Sequence, residues 1–272
     1  MSIHDFKLNL PLPTIFPPGW KTSMNTTDYA SFRNLDHFKY YVRKLTQKTD
    51  DNCGISYKAA LANLLAGTAG FPATQQASIR NLVRENLHKR GLITEEIYEN
   101  YRYTVDGTQV GIDVGKYANG EPDCVITPAV DYVDFFYELY VSISYHCGIS
   151  NERIQENVAK LLATIEELER QHIYIKVTLI LPITGVTQKN SNAFFSSIPL
   201  FSHKQRKSVE TMSSVLNDKL LRKFYFAVLE DIYGEDLAEG YGYAKQLPGS
   251  MNVGNTFNEI EFFEGIVKAV GA

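Results

Sequence analysis

Apolar positions in the first hundred residues recur at spacings of three and four. Phe32, Leu35, Phe38, Tyr41 and Val42 predict an amphipathic helix over residues 28–45. Residues 55–66 continue in the same style, and Gly67 is a natural stop. After Gly70, Phe71 and Pro72, Thr74 is placed to cap a helix over 75–90 that Gly91 ends, with Ile79, Leu82, Val83 and Leu87 as its inner stripe. Ahead of these helices Pro11, Pro13, Pro17 and Pro18 punctuate an extended arm, which lies along its own domain or along a partner.

The period then falls to two. Residues 101–105 and 109–114 are β-prone runs on either side of Asp106 and Gly107, which predicts a hairpin. Asn119, Gly120 and Pro122 mark a turn. Residues 133–144, rich in Phe, Tyr, Val and Ile, read as a long strand that Gly148 breaks. Ser150 caps a helix to about Arg170, lined on one face by Ile154, Val158, Leu161, Leu162, Ile165 and Leu168. Residues 173–181 form a second strand, stopped by Pro182. Strand, helix and strand in this order make a βαβ crossover with parallel strands. Beyond it, 190–201 reads as loop with a short strand, 208–216 as a strand, and 218–233 as a helix burying Leu221, Phe224, Val228, Leu229 and Ile232. Residues 240–254 are a long Gly- and Tyr-rich loop, and Thr256 with Glu259 forms a capping box for a last helix through Val270. The fold class is therefore α/β, a partly parallel doubly wound sheet. Its domain runs over 101–272, with a Pro-rich arm and helical region over 1–100 packed on or beside it.

Composition supports a globular chain. Aliphatic, aromatic and Cys residues are 44% of 272 residues, and 17 Tyr with 15 Phe are too many for a solvated coil. Lys and Arg number 27 against 31 Asp and Glu, a net charge of −4 that excludes a generally basic surface for nucleic acid. Three cysteines, Cys53, Cys124 and Cys147, without a CxxC pair argue against a disulfide framework or a structural zinc site. No apolar run reaches the roughly 18 residues of a membrane span, and no signal peptide is visible, so no membrane partner is expected.

Candidate chemistry is sparse. Ser142, Ser144, His146 and Cys147 gather at the carboxyl end of the first βαβ strand, where ligands collect in open α/β sheets. Alternation sends Ser142 and Ser144 to one face, with His146 following. No nucleophile elbow and no acid partner accompany them. The loop around Tyr241 and Tyr243 lacks a phosphate-loop pattern, so its tyrosines turn and pack it, and no cofactor or metal is expected. Glu166, Glu167 and Glu169 read as a solvated helix face. Tyr101, Arg102 and Tyr103 resemble a base-stacking platform, and Lys204, Arg206 and Lys207 form the densest basic run.

The run Leu139, Tyr140, Val141, Ser142, Ile143 and Ser144, then Leu161, Leu162 and Leu168, then Ile173, Tyr174, Ile175, Lys176 and Val177, resembles the first strand, helix and second strand of a von Willebrand factor A-like domain. The resemblance implies a doubly wound fold, of a kind that commonly serves adhesion or complex assembly. Many such domains bind a divalent metal through D-x-S-x-S at this strand end. Here Ser142 stands at the Asp position, Ser144 matches the first Ser and His146 replaces the second, so the metal motif is degenerate. A wider stretch, roughly 80–235, is similar to an uncharacterised family of tailed-bacteriophage proteins. It is carried by Tyr103 to Gly107, by Val110 to Cys124 with its Gly120, Glu121 and Pro122, by the βαβ unit, and by Val215 to Phe224 with Glu230. That resemblance implies a phage origin and no known activity.

These readings predict a phage-encoded, non-enzymatic interaction or assembly module in the host cytoplasm or the virion. Its partner would be a phage component or a host factor, met at Ser142, Ser144, His146, Tyr241 and Tyr243. An accessory role in phage nucleic-acid transactions, through Tyr101, Arg102, Tyr103, Lys204, Arg206 and Lys207, is the first alternative. An enzyme using His146 or Cys147 is the second.

Overall fold

The computed structural model describes residues 27–45, 55–66, 72–93, 101–104, 111–122, 124–128, 134–142, 149–188, 193–238, 243–245, 247, 249–254 and 256–271. Its helices are α1 (Leu35–Val42), α2 (Tyr57–Ala66), α3 (Ala73–Lys89), α4 (Val114–Ala118), α5 (Asn151–Arg170), α6 (Val209–Leu216), α7 (Asp218–Tyr233) and α8 (Glu259–Val270). Its strands are β1 (Thr27–Ser31), β2 (Tyr101–Thr104), β3 (Gly111–Ile112), β4 (Val125–Pro128), β5 (Phe135–Ser142), β6 (Ile173–Thr184), β7 (Ala193–Phe201), β8 (Tyr243–Ala244) and β9 (Met251–Asn252).

The main sheet has the order β1-β7-β6-β5-β9, with β8 added against β6. β5 pairs in parallel with both β6 and β9, and β1 with β7, while β6 pairs antiparallel with β7 and β8. The crossover over α5 thus joins the two parallel strands that its periodicity predicts. Ser150 caps α5 by accepting from the Arg153 amide at 3.3 Å, which satisfies one of the unpaired donors of the first turn.

Alternation sorts the two faces of this sheet. Leu139 and Val141 of β5, with Ile173, Ile175, Val177, Leu179, Leu181 and Ile183 of β6, join one apolar core to which α1, α2, α3, α5, α6, α7 and α8 all contribute. That core runs from Phe38 in α1 to Phe263 in α8, so elements from residues 27–93 share it with the sheet. The opposite face carries a smaller cluster of Tyr140, Ile180, Ala193, Phe195 and Leu247. Among the described residues the helical layer covers one face, and the second layer of a doubly wound sheet is not among them.

Several elements differ from their sequence reading. The helix expected over 28–45 is a strand followed by a helix. β1 pairs with β7 from Thr27 opposite Ala193 to Ser31 opposite Ser197, and Asn34 starts α1 by accepting from the His37 amide at 2.9 Å. β2 and β3 do not pair with each other as a hairpin: both pair antiparallel with β4, which lies between them. β6 does not stop at Pro182 but continues to Thr184. Its pairing with β5 ends at Ile180, so the missing proline donor falls where that neighbour has finished, and the Pro182 carbonyl accepts from the Lys245 amide at 2.9 Å. Residues 193–201 are a full strand, and 209–216 are a helix with Ser208 accepting from the Thr211 amide at 3.2 Å. α3 starts at Ala73 behind Pro72 rather than on a Thr74 cap, and Leu82 is 46% exposed instead of buried. Asn258, not Thr256, caps α8, and the Thr256 hydroxyl accepts from Arg153 at 2.7 Å. At the other end of α3, Gly91 takes φ +73° and the Leu92 amide reaches back to the Leu87 carbonyl at 3.0 Å, a left-handed stop that favours glycine.

Candidate functional site

Two places on the main sheet gather polar chemistry, one at each end of its parallel strands. At the carboxyl end, β5 lies between β6 and β9, with Ser142 opposite Ile180 on one side and Asn252 on the other. Along the sheet the chain runs outward from β5 to β6 and β7 in one direction and to β9 in the other. The strand order therefore reverses at β5, the position in an open α/β sheet where ligands commonly gather. Ser142 is fully buried at this point. Asn252 accepts from the Gly254 amide at 2.9 Å and so shapes the turn after β9. Tyr243, paired with Thr184, stands 78% exposed at the same rim. Gly185 sits beneath it at φ +68°, with the ring 3.5 Å from where a Cβ would stand. The predicted site residues Ser144, His146 and Tyr241, and with them Cys147, lie outside the described residues.

The amino end is closed by ion pairs. Asp134, just before β5, accepts from Lys204 at 2.5 Å and faces His172 Nδ1 at 3.3 Å. The Lys204 hydrogen bond holds the Asp134 carboxyl below its ordinary range, and Asp134 in turn holds Lys204 above its own. The Lys204 ammonium also lies 4.9 Å from the centre of the Tyr174 ring, a cation–π contact. On the same face Glu138 accepts from Lys176 at 2.7 Å and from the Tyr140 hydroxyl at 2.8 Å. Burial works to raise Glu138, but these two donors outweigh it and its pKa is lowered.

Lys207 reaches inward to Glu169 in the last turn of α5, and donates to the carbonyls of Ser202 at 3.3 Å and His203 at 2.6 Å. Burial pushes Glu169 up and Lys207 down, and their pairing only partly opposes this. The solvated face predicted for the α5 glutamates is therefore corrected. Glu169 holds Lys207, Glu167 is buried against Arg170, and Glu166 pairs with Arg80 of α3 at 2.7 Å. The Glu169–Lys207 and Glu166–Arg80 pairs wall a cleft of about 300 Å³ between α3, α5, the start of β6 and residues 204–207.

The residues suggested for nucleic acid divide between two sheets. Tyr101, Arg102 and Tyr103 form β2, opposite Pro128, Thr127 and Ile126. Lys204, Arg206 and Lys207 follow β7 of the main sheet, and two of the three are drawn into ion pairs. Arg206 is exposed, lines the cleft, and makes no ion pair among the described residues. Asp134, His172, Tyr174 and Arg80 went unseen in the sequence. Their only local signal was position, two of them being the residues just before β5 and β6.

Among the described residues no group of three or more His, Cys, Asp or Glu is placed to hold a metal ion. Among them, too, no helix is long and apolar enough to cross a membrane. No curated protein and no solved structure matches the chain. A family model does match, over residues 21–264, under the description "Domain of unknown function (DUF7192)". The match takes in the main sheet, both of its ends and the first half of α8, and the chain belongs to this family.

Proposed function

We propose that the chain is a phage-encoded, non-enzymatic interaction module with a von Willebrand A-like core. It meets a protein partner, a phage component or a host factor, at the carboxyl-end rim of its sheet. The carrying observation is the reversal of strand order at β5, with Tyr243 standing 78% exposed beside it. A reversal of this kind supplies a concave rim, and an exposed tyrosine supplies a rigid aromatic anchor of the type enriched where proteins meet. The central parallel pair joined over α5 supports the A-like reading. The rim residues would include Ser142, Ser144, His146, Tyr241 and Tyr243, in the host cytoplasm or the virion.

The test is capture of the tagged full chain from infected host lysate, with and without nuclease, beside a Tyr243→Ala chain. Proteins held by the parent chain despite nuclease, and lost by Tyr243→Ala, are the expected result. Equal retention by both chains would displace the rim from the interface. Loss on nuclease treatment would move the role to nucleic acid.

A further inference from the structure

We infer that the cleft at the amino end of the sheet binds a small organic anion, an anionic head on a short apolar body. This goes beyond the protein partner proposed at the opposite end. The cleft holds about 300 Å³, the lower limit of ordinary small-molecule sites.

Charge selects the head. Arg80, Lys204, Arg206 and Lys207 line the cleft against Glu166 and Glu169. Each of those carboxylates is already held by a cation, Glu166 by Arg80 and Glu169 by Lys207. That leaves Lys204, whose partner Asp134 stands outside the lining, and Arg206, which has no carboxylate partner among the described residues, in a chain whose net charge is −4.

The loop is also held in place. Lys207 spends its three donors on Glu169, Ser202 and His203, so it serves as an anchor rather than a ligand group. By tying its own loop to α5, it fixes where Lys204 and Arg206 emerge. Lys204 is fixed further by Asp134 and the Tyr174 ring. Arg206 supplies a planar fork of donors suited to two anionic oxygens.

The floor selects the body. Ala159, Leu162 and Ala163 of α5 are buried and apolar, and two of these being alanines is what leaves the hollow. The Tyr174 ring adds an aromatic wall. A metal ion is disfavoured by the excess positive charge. A polyanion needs a row of unpaired cations, whereas this run offers Arg206 alone outside an ion pair among the described residues.

The experiment is calorimetric titration of the full chain with phenyl phosphate, benzoate, inorganic phosphate and phenol, at low and moderate salt. Saturable binding of phenyl phosphate or benzoate, with inorganic phosphate and phenol at least about tenfold weaker, is expected. The tighter of the first two identifies the head as phosphate or carboxylate. Arg206→Ala should weaken that binding by about tenfold or more, the loss of a charge-assisted fork. Arg206 is exposed, so the variant keeps the fold, which its far-ultraviolet spectrum and unfolding midpoint would verify. The same variant should leave capture through Tyr243 unchanged, so the two readings fail separately. Absence of saturable binding by all four probes would overturn the inference. So would equal affinity of inorganic phosphate and phenyl phosphate, or unchanged affinity in Arg206→Ala.

Discussion

The two ends of the main sheet are closed by different physics. At the amino end, long charged side chains cross from one element to the next: Lys204 to Asp134, Lys176 to Glu138, Lys207 to Glu169. Each crossing fixes a loop or strand end against its neighbour. At the carboxyl end the closure is short and small. Ser142 is buried, β8 and β9 are two residues each, and Tyr243 points outward instead of tying elements together. Charge crossing between elements preorganises a cleft whose walls are already set. The rim is marked instead by one buried serine, two short strands and an outward tyrosine, and that contrast underlies the docking role proposed for it.

The largest effect that would test this contrast is at Glu169. Glu169→Ala leaves the Lys207 ammonium, on a side chain that is almost wholly buried, without its carboxylate. The expected cost is about 2–3 kcal/mol in urea unfolding, below the range for fully buried pairs because Glu169 keeps some exposure to water. Replacing both partners, Glu169→Met with Lys207→Met, should cost far less than the single change. Burial already pushes both groups toward their neutral forms, so the pair locates the loop more than it stabilises the fold. A double variant as damaged as the single one would show that the loop depends on the charges for more than position. At the carboxyl end the matching change is Ser142→Leu. Three added carbons at a fully buried position should cost about 1–3 kcal/mol through overpacking. A neutral result would mean that the space beside Ser142 is open.

The two ends were also unequally legible. At the carboxyl end the finish of β5 is written in one run of chain, a strand followed by Gly148 and a capping Ser150, although β8 and β9 join that end from far along the sequence. The amino-end cleft is assembled from α3, α5, β6 and a loop, so Arg80, Glu169, Tyr174 and Arg206 are distant in sequence and meet only by packing. Glu166 and Glu169 looked solvated because a helix read alone does not reveal the cations on its neighbours. Similar reasons explain the elements misread. β7 carries Ser196 and Ser197 inside an apolar run, and both are buried between neighbouring strands. In α6 the signal was present: Val209, Met212, Val215 and Leu216 have helical spacing behind Ser208, a good cap. β1 has no strand signature of its own and is specified by the edge of β7, a tertiary effect that local pattern does not carry.

A smaller effect is expected where the rim turns. Gly185 sits at φ +68° with the Tyr243 ring 3.5 Å from its would-be Cβ. Gly185→Ala should destabilise by about 1 kcal/mol, the cost of a side chain in the left-handed region. A larger loss would show that the ring cannot give way, and so that Tyr243 is held more firmly than its exposure suggests.

Acid should loosen the amino end selectively. The folded pKa values of Asp134 and Glu138 lie below their ordinary values of 3.8 and 4.5. A depressed carboxylate contributes stability that is present above its unfolded value and lost as pH falls through its folded one. Stability from these two groups is therefore intact at neutral pH and declines below about pH 4.5. Glu169 has the opposite sign. Its folded value is raised, so its contribution is fully present below the ordinary 4.5 and is lost as pH rises through the folded value. Asp134→Asn with Glu138→Gln should flatten the acid limb of the stability profile, measured by urea midpoints between pH 3 and 6, while leaving the neutral limb nearly unchanged. An unaltered acid limb would mean that carboxylates elsewhere set it.

The smallest expected effect on stability is the one that separates the two ends most sharply. Tyr243 is 78% exposed, so Tyr243→Ala removes little buried surface and should shift unfolding by less than about 0.5 kcal/mol. Binding weighs the same ring differently. An aromatic side chain that the fold leaves in water can still be buried by a partner, and truncating such an anchor commonly costs more than about 1 kcal/mol of affinity. Tyr243→Ala should therefore fold as the parent does, take up phenyl phosphate at the amino-end cleft as the parent does, and fail only in capture of protein. If Tyr243→Ala instead lowered stability by more than 1 kcal/mol, the ring would be a packing element over Gly185. The rim would then be closed by its own side chains, as the amino end is by its charges, and the contrast between the two ends would fall.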